Sequence, residues 1–402
     1  MADFGGDLEA FRAEARRWLE ENLPASLRGD PDAVTQAVAG GAKPREDVEL
    51  WKQRIGAIGW GTPTWPKAYG GGGLSVAQAR VLAEEMSRIG AGNPIAGMGT
   101  SMFGPTLLEY GTEDQKQRHI RPICRGELRW CQGYSEPGSG SDLASLTTKC
   151  EDKGDHYEVN GQKIWTSGAH WADWCFCLVR TDTTKKHEGI SFVLIDMHQP
   201  GVETRPIKLI AGSSPFCETF FTNARVEKDD MVGEINHGWT IAKRLLQHER
   251  SGQGGGGGRG MGGNKGVPDY AKTYVGVDAE GRIADTDLRN RITEHMMANR
   301  AHGLTLQRAV AEAKGNLNPS ATTSIMKNSG TKNGQDRSEL LLEIMGHQGL
   351  GWEGEGFNAD ELSQVRGWLG GKATTIFGGS FEIQNNIITK RILGLPDPTQ
   401  SA

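Results

Sequence analysis

Three patterns of apolar and polar positions follow one another along the chain. In the first, apolar residues recur at helical spacing: Phe11, Ala15, Trp18, Leu19 and Leu23 share one face of a helix that ends at Pro24. A second helix is predicted over 46–56, followed by Trp60–Pro66, whose two prolines forbid its continuation. Ser75 with Gln78, and Thr112 with Gln115, form capping boxes that start helices running to about Arg88 and through Ile120. From about residue 129 the pattern changes to strands. Trp174–Val179 is apolar on both faces, as a strand buried on both sides should be, and Phe192–Ile195 is a short apolar strand. Val202–Leu209 contains Pro206 and belongs at a sheet edge. The Asn160–Gly161 pair predicts a hairpin turn, because both residues accept positive φ.

From residue 236 the chain is helical again, over Asp287–Val310, over a stretch closing at Leu340–Met345 before Gly346, and over Ser380–Leu393. The glycine-rich run Ser251–Gly266 interrupts this pattern and reads as a flexible loop. Helices, then one block of strands, then helices predict an α+β protein of stacked subdomains rather than alternating βαβ units. The expected boundaries are 1–128 for an N-terminal helical domain, 129–235 for a central β-domain and 236–402 for a C-terminal helical domain.

Charge changes this picture only by exclusion. Over 402 residues, 45 basic and 50 acidic side chains leave a net charge of -5 with no basic block, which argues against a nucleic-acid binder. No apolar run is long enough for a membrane span, and the N-terminus has neither the apolar core of a signal peptide nor the composition of a transit peptide. The six cysteines show no CxxC pair and no Cys/His spacing, so no metal site is expected and a reduced, cytoplasmic protein is the simplest reading.

The candidate chemistry lies in Glu136-Pro137-Gly138-Ser139-Gly140-Ser141-Asp142 and in Asn160-Gly161-Gln162-Lys163-Ile164-Trp165. A glycine-serine loop lets backbone approach a flat or anionic ligand, and its hydroxyls can donate to it. In order and spacing these two elements resemble the EPGxGSD and NGxKxW signature of the flavin-dependent acyl-CoA dehydrogenases. Upstream, Trp65-Pro66, Tyr69-Gly70-Gly71, Gly73-Leu74-Ser75 and Gly111–Lys116 resemble stretches of that family's N-terminal domain. The resemblance implies an acyl-CoA dehydrogenase-like fold, with an N-terminal helical domain, a central β-barrel-like domain and a C-terminal four-helix bundle. It implies FAD as cofactor and an acyl-CoA thioester as substrate, converted to a trans-2-enoyl-CoA in fatty acid or lipid degradation. It also implies an electron-transfer flavoprotein or similar acceptor as partner, and a homotetramer, a homodimer or a mixed tetramer with a related subunit.

The same resemblance assigns residues. Flavin contacts fall on Gln132, Tyr134, Ser135, Gly140 and Ser141, on Trp165-Thr166-Ser167 with serine in place of the usual second threonine, and on Ser380 and Glu382. Ser141 is also expected near the CoA arm, with Arg250 on its phosphates. The commoner site of the family's catalytic carboxylate is occupied here by Gly378, which can abstract nothing. The alternative site, before an arginine on the helix entering the C-terminal domain, holds Glu249. At about 100° per residue, Glu249 falls angularly between Ala242 and Leu245, where desolvation would raise its pKa towards neutrality. Branched or bulky acyl groups often accompany this placement, and the glycine run after Glu249 would leave room for one. The family's R-x-Q-F-G segment, whose arginine reaches the flavin diphosphate of a neighbouring subunit, is missing between Ala271 and Gly281. With the loss of the commoner Glu this supports, as one alternative, a non-catalytic subunit of a mixed complex; a flavin oxidase or monooxygenase on the same fold is a second alternative.

Overall fold

A computed structural model describes residues 8–39, 45–255, 265–313 and 320–396. The chain divides into two compact units, Met1–Ile207 with Pro215–His248, and Lys208–Ser214 with Glu249–Ala402. Together they are a mixed α+β structure with helices on either side of one block of strands in the chain order.

The first unit opens with six helices, α1 (Leu8–Asn22), α2 (Pro31–Ala39), α3 (Glu46–Ala57), α4 (Val76–Arg88), α5 (Gly104–Tyr110) and α6 (Glu113–Cys124). Both predicted capping boxes form: Ser75 and Thr112 accept from the backbone N–H of Gln78 and Gln115, whose side chains return the bond. The helical face of α1 buries Phe11, Ala15 and Leu19 against Trp51, Ile55, Val81 and Leu82. One carboxylate ties α1 to α4, since the buried Glu85 accepts from Arg12 at 3.2 Å, Arg16 at 3.0 Å and Arg88 at 2.7 Å. α6 runs past the predicted end at Ile120 and includes Pro122, tolerated so near the C-terminus because the lost N–H breaks only one bond of the last turn.

Seven strands follow: β1 (Trp130–Gly133), β2 (Lys149–Asp152), β3 (His156–Ser167), β4 (Trp174–Arg180), β5 (Ile190–Asp196), β6 (Val202–Ile207) and β7 (Phe216–Glu227). They form one sheet in the order β1-β4-β2-β3-β7-β6, with β5 added on β4. β4 is buried from Cys175 to Arg180, and β6, with Pro206, lies at the edge, both as the pattern predicts. Alternation splits β4 between two cores. Phe176 and Leu178 face the N-terminal helices, where Phe176 and Trp130 stack on Phe103 of the turn preceding α5, while Cys175 and Cys177 face a core with Cys131, Val159 and Cys217. All six cysteines are unpaired and buried, which pushes the Cys150 thiol up to about 12.

The expected Asn160–Gly161 hairpin is not a turn. Both residues lie inside β3, whose register with β7 shifts between Val159 and Gly161. Asn160 Oδ1 accepts from the N–H of Asn223 at 2.8 Å, and a Cβ on Gly161 would come within 2.7 Å of Thr148 Cα. Glycine is needed here for close backbone approach rather than for reversal. The reversal itself falls at Gly154, φ +96°, between β2 and β3.

The last helix reaching from the first unit, α7 (Gly238–Gly255), buries Ile241, Ala242 and Leu245. It carries the first five residues of the glycine-rich run, 251–255, in helix, so the loop reading is corrected there; 256–264 lie outside the described residues. The second unit holds α8 (Val267–Tyr274), α9 (Thr286–Ala313), α10 (Ser320–Met345), α11 (Ala359–Gly371) and α12 (Phe381–Ile387). Its core joins Tyr270, Ile292, Leu341 and Ile344, and Tyr270 Oη donates to Asp360 at 2.7 Å.

Gly161→Ala is expected to cost about 1–3 kcal/mol, read as a lowered Tm. Gly334→Ala, with nothing within 4 Å of the added carbon inside α10, should instead raise stability by about 0.5–1 kcal/mol.

Candidate active site

The two signature elements meet through a buried ion pair. Glu136 opens the glycine-serine loop, and Lys163 lies on β3 two residues before Trp165. Lys163 Nζ donates to Glu136 Oε1 at 2.8 Å and to the carbonyl of Tyr134 at 3.1 Å. The lysine is fully buried and the glutamate 6% exposed. Glu136 also accepts from Thr147 N–H at 2.7 Å, Thr147 Oγ1 at 2.8 Å and Thr148 N–H at 2.8 Å. Burial pushes its carboxyl up, but the Lys163 charge and these donors outweigh burial and bring it down to about 2. A backbone bond from Ile164 N–H to Ser135 O at 2.9 Å completes the join.

Just beyond Lys163 the pairing of β3 with β7 slips again, between Lys163 and Thr166. Trp165 sits in that bulge with φ +62°, a strained value for a bulky side chain, and its indole is 52% exposed. Thr166 turns inward, its hydroxyl bonded to Cys217 O at 2.8 Å and to Thr219 Oγ1 at 2.6 Å. Ser167 is half-buried beside Gly168. A bulge that inverts one aromatic outward while anchoring its neighbour is a device for presenting a flat face to a ligand.

The structure thus brings Gln132, Tyr134, Ser135, Trp165, Thr166 and Ser167 into one region of the first unit. Tyr134 is 5% exposed, with its ring against Phe176 and Phe192, so the side chains of Tyr134 and Thr166 serve the core and only their backbones remain to meet a cofactor. Gly140 and Ser141 are exposed, and nothing lies within 4 Å of a Cβ built on Gly138 or Gly140. An open glycine ledge, an exposed indole and a serine hydroxyl fit the isoalloxazine of FAD, which needs one stacking face and donors at its edge. Among the described residues, no group of His, Cys, Asp and Glu could hold a metal ion.

The remaining expected residues lie elsewhere. Ser380 and Glu382 belong to the second unit, where Ser380 caps α12 by accepting from Ile383 N–H at 3.4 Å and Glu382 is exposed. In the same unit Gly378 and Gly379 have φ of +67° and +90°, so the segment that could have offered a carboxylate is a left-handed glycine turn. The side chains of Glu249 and Arg250 lie outside the described residues, although both are within α7. One residue earlier, His248 Nε2 lies 3.3 Å from Glu109 Oε1, and Arg244 Nη2 donates to the same oxygen at 2.7 Å. Burial and the Arg244 charge lower the His248 pKa, favouring the neutral ring. Where an interface arginine was sought, 271–281, the chain forms the end of α8 and a turn, with Tyr274 donating to Glu361 at 2.7 Å.

Two features were not anticipated. The Glu136–Lys163 pair could have been suspected, since both charges recur within the signature that carries the resemblance. The other is a cleft of about 280 Å³ that opens beside Ser167 and Gly168, walled by Ile95, Trp130 and Trp171. No sequence pattern announces it.

Lys163→Met should leave Glu136 buried without its counter-charge and cost about 3–5 kcal/mol, whereas Lys163→Met with Glu136→Gln should recover much of that loss in thermal unfolding. Because the carboxyl pKa is depressed on folding, its stabilising contribution is full above the ordinary value of 4.5 and fades as pH falls towards about 2. Wild-type stability should therefore drop across that window more steeply than that of the double variant.

Family models for the N-terminal, middle and C-terminal domains of acyl-CoA dehydrogenases match residues 6–127, 131–224 and 236–393. Over 97% of its length the chain is 36% identical to acyl-CoA dehydrogenase IpdE1 of Mycolicibacterium smegmatis, covering 98% of that protein. Among solved structures it is similar to the Tcur3481-Tcur3483 steroid ACAD, with TM-score 0.77 and 31% identity, covering 97% of each chain. It also resembles the ChsE4-ChsE5 complex of Mycobacterium tuberculosis, with TM-score 0.74 and 28% identity over 97% of this chain and 98% of that one. With all three domain models matched and an end-to-end relative above a third identical, the chain belongs to the acyl-CoA dehydrogenase family of oxidoreductases.

Proposed function

We propose that this acyl-CoA dehydrogenase holds FAD against Trp165 and Ser167 and forms the α,β-double bond in a bulky acyl-CoA. The outward, strained indole of Trp165 is the observation that carries the reading, because its edge-on contact with Phe216 at 6.0 Å still leaves the ring half exposed for a ligand. Bound FAD supplies the hydride acceptor for the acyl Cβ. Ser167 offers a hydroxyl donor at the flavin edge, and Gln132, Ser135, Gly140 and Ser141 offer further polar edges around it. Glu249 takes the α-proton. A carboxylate on the helical line of Ala242 and Leu245, both fully buried, would have its pKa raised by desolvation, as a base working near neutral pH requires. Arg250 pairs with CoA phosphates, and Ser141 lies by the CoA arm.

Two observations favour a bulky substrate. The cleft beside Ser167 offers about 280 Å³, enough for a fused-ring group, and the steroid ACAD is among the similar structures. We read the cleft in the first unit as room for such a group. Mixed assembly with a related subunit is favoured by the missing arginine over 271–281 and by the likeness to the ChsE4-ChsE5 complex. An electron-transfer flavoprotein or similar carrier then reoxidises the flavin.

A visible spectrum of the purified protein, taken anaerobically with and without acyl-CoAs, tests the reading. Yellow protein that bleaches with a bulky acyl-CoA is the expected result, and Glu249→Gln should keep the colour while losing at least about a hundredfold in bleaching rate. Bleaching untouched by that substitution would remove Glu249 from the mechanism. Colourless protein that takes up no FAD would favour a non-catalytic subunit.

A further inference from the structure

The cleft beside Ser167 is apolar over most of its wall, yet two cations line it: Lys52 from α3 and Arg129 just before β1. Glu49 is the one acid among its lining residues, and Lys52 Nζ already meets Glu49 Oε2 at 2.7 Å. Among the lining residues this leaves Arg129, which is exposed, as the cation without an acidic partner. The backbone of that residue is fixed from both sides. Its N–H donates to Asp173 Oδ2 at 2.7 Å, and its carbonyl accepts from the N–H groups of Asp173 at 2.9 Å and Trp174 at 3.2 Å. Its guanidinium, by contrast, makes no hydrogen bond among the described residues. Lys52 lies along the floor, its Cδ within 2.9 Å of where a Cβ on Gly126 would stand. Gly97, also in the lining, has nothing within 4 Å of its would-be Cβ, so the cleft is open at that point.

A plain hydrocarbon filling this cleft would offer the exposed Arg129 donors no acceptor. A group with an acceptor oxygen at the right depth would give them charge-assisted hydrogen bonds. A site that hydrogen-bonds its ligand discriminates far better against an analogue lacking the partner than an apolar pocket discriminates by size. We propose that the cleft seats the end of the acyl group remote from the thioester, and that Arg129, with Lys52 beside it, selects acyl groups bearing an acceptor oxygen there, as a carboxylate or a ring ketone. This rests on the reading that Ser167 marks the reacting end of the site. Arg129 is a specificity residue and takes no part in the chemistry.

The test uses equilibrium binding, so that it does not depend on turnover. Dissociation constants are measured by titration calorimetry on the purified flavoprotein with three CoA esters of one ring skeleton, ending in a carboxylate, a ketone or a methyl group. The wild-type protein should bind at least one oxygen-bearing ester about tenfold or more tighter than the methyl ester. In Arg129→Met the ratio between them should fall towards one, and Lys52→Met should reduce it in part. A carboxylate preference that weakens with added salt identifies an anionic terminus, and equal binding of carboxylate and ketone identifies neutral acceptor recognition. A methyl ester bound as tightly as the others, or a ratio unchanged in Arg129→Met, overturns the proposal. Failure of the dehydrogenase reading would show differently, as tight and selective binding without bleaching of the flavin.

Discussion

The site depends first on two charges that water cannot reach. Lys163 and Glu136 are both buried, and a lone charge in either place would not be tolerated; together, with donors from Thr147 and Thr148 and the carbonyl of Tyr134, every oxygen and the ammonium are engaged. The benefit of such a pair lies less in stability than in definition. Hydrogen bonds of fixed length leave one way for the glycine-serine loop to sit on β3. The exposed Gly138 and Gly140 and the outward indole of Trp165 thereby sit on elements that are joined by groups touching neither. A hydrophobic pair at these positions could be as stable, but it would not fix direction in the same way.

The second constraint is that β4 has no spare face. β4 gives alternate residues to two cores, so Phe176 and Leu178 bind the sheet to the N-terminal helices while Cys175 and Cys177 close the other side. Trp130 stacks at 3.9 Å on Phe103 and also walls the cleft beside Ser167. The cleft therefore has rigid aromatic sides. Its charge comes from Arg129, just before β1, and from Lys52, midway along α3, long side chains that carry a charged head to a cavity on an apolar stem.

Local signals were legible where local physics decides them. The capping boxes, the proline at a sheet edge and the doubly buried β4 each depend on a few adjacent residues, and each formed as expected. Asn160–Gly161 failed for the opposite reason. Its glycine answers to Thr148, which the chain brings within reach only when β2 pairs with β3, and nothing in the dipeptide distinguishes a close approach from a turn. The site divides along the same line. Trp165 and the glycine-serine loop were visible as a signature, but the inward turn of Tyr134 and Thr166 follows from packing against Phe176, Phe192 and Thr219. The cleft was illegible because its walls come from six separate stretches of chain.

The glycines at 378 and 379 bear on where a proton acceptor can come from. Abstraction of an α-proton requires one carboxylate at the substrate, and a left-handed Gly-Gly turn supplies neither the side chain nor a backbone that other residues adopt without strain. If Glu249 serves instead, the acceptor is held by a helix whose preceding turns are locked at Ile241, Ala242 and Leu245, with Arg244 clamped on Glu109. A base on a packed helix is held more narrowly than one on a glycine turn. The freedom left at Gly378 then carries no catalytic penalty.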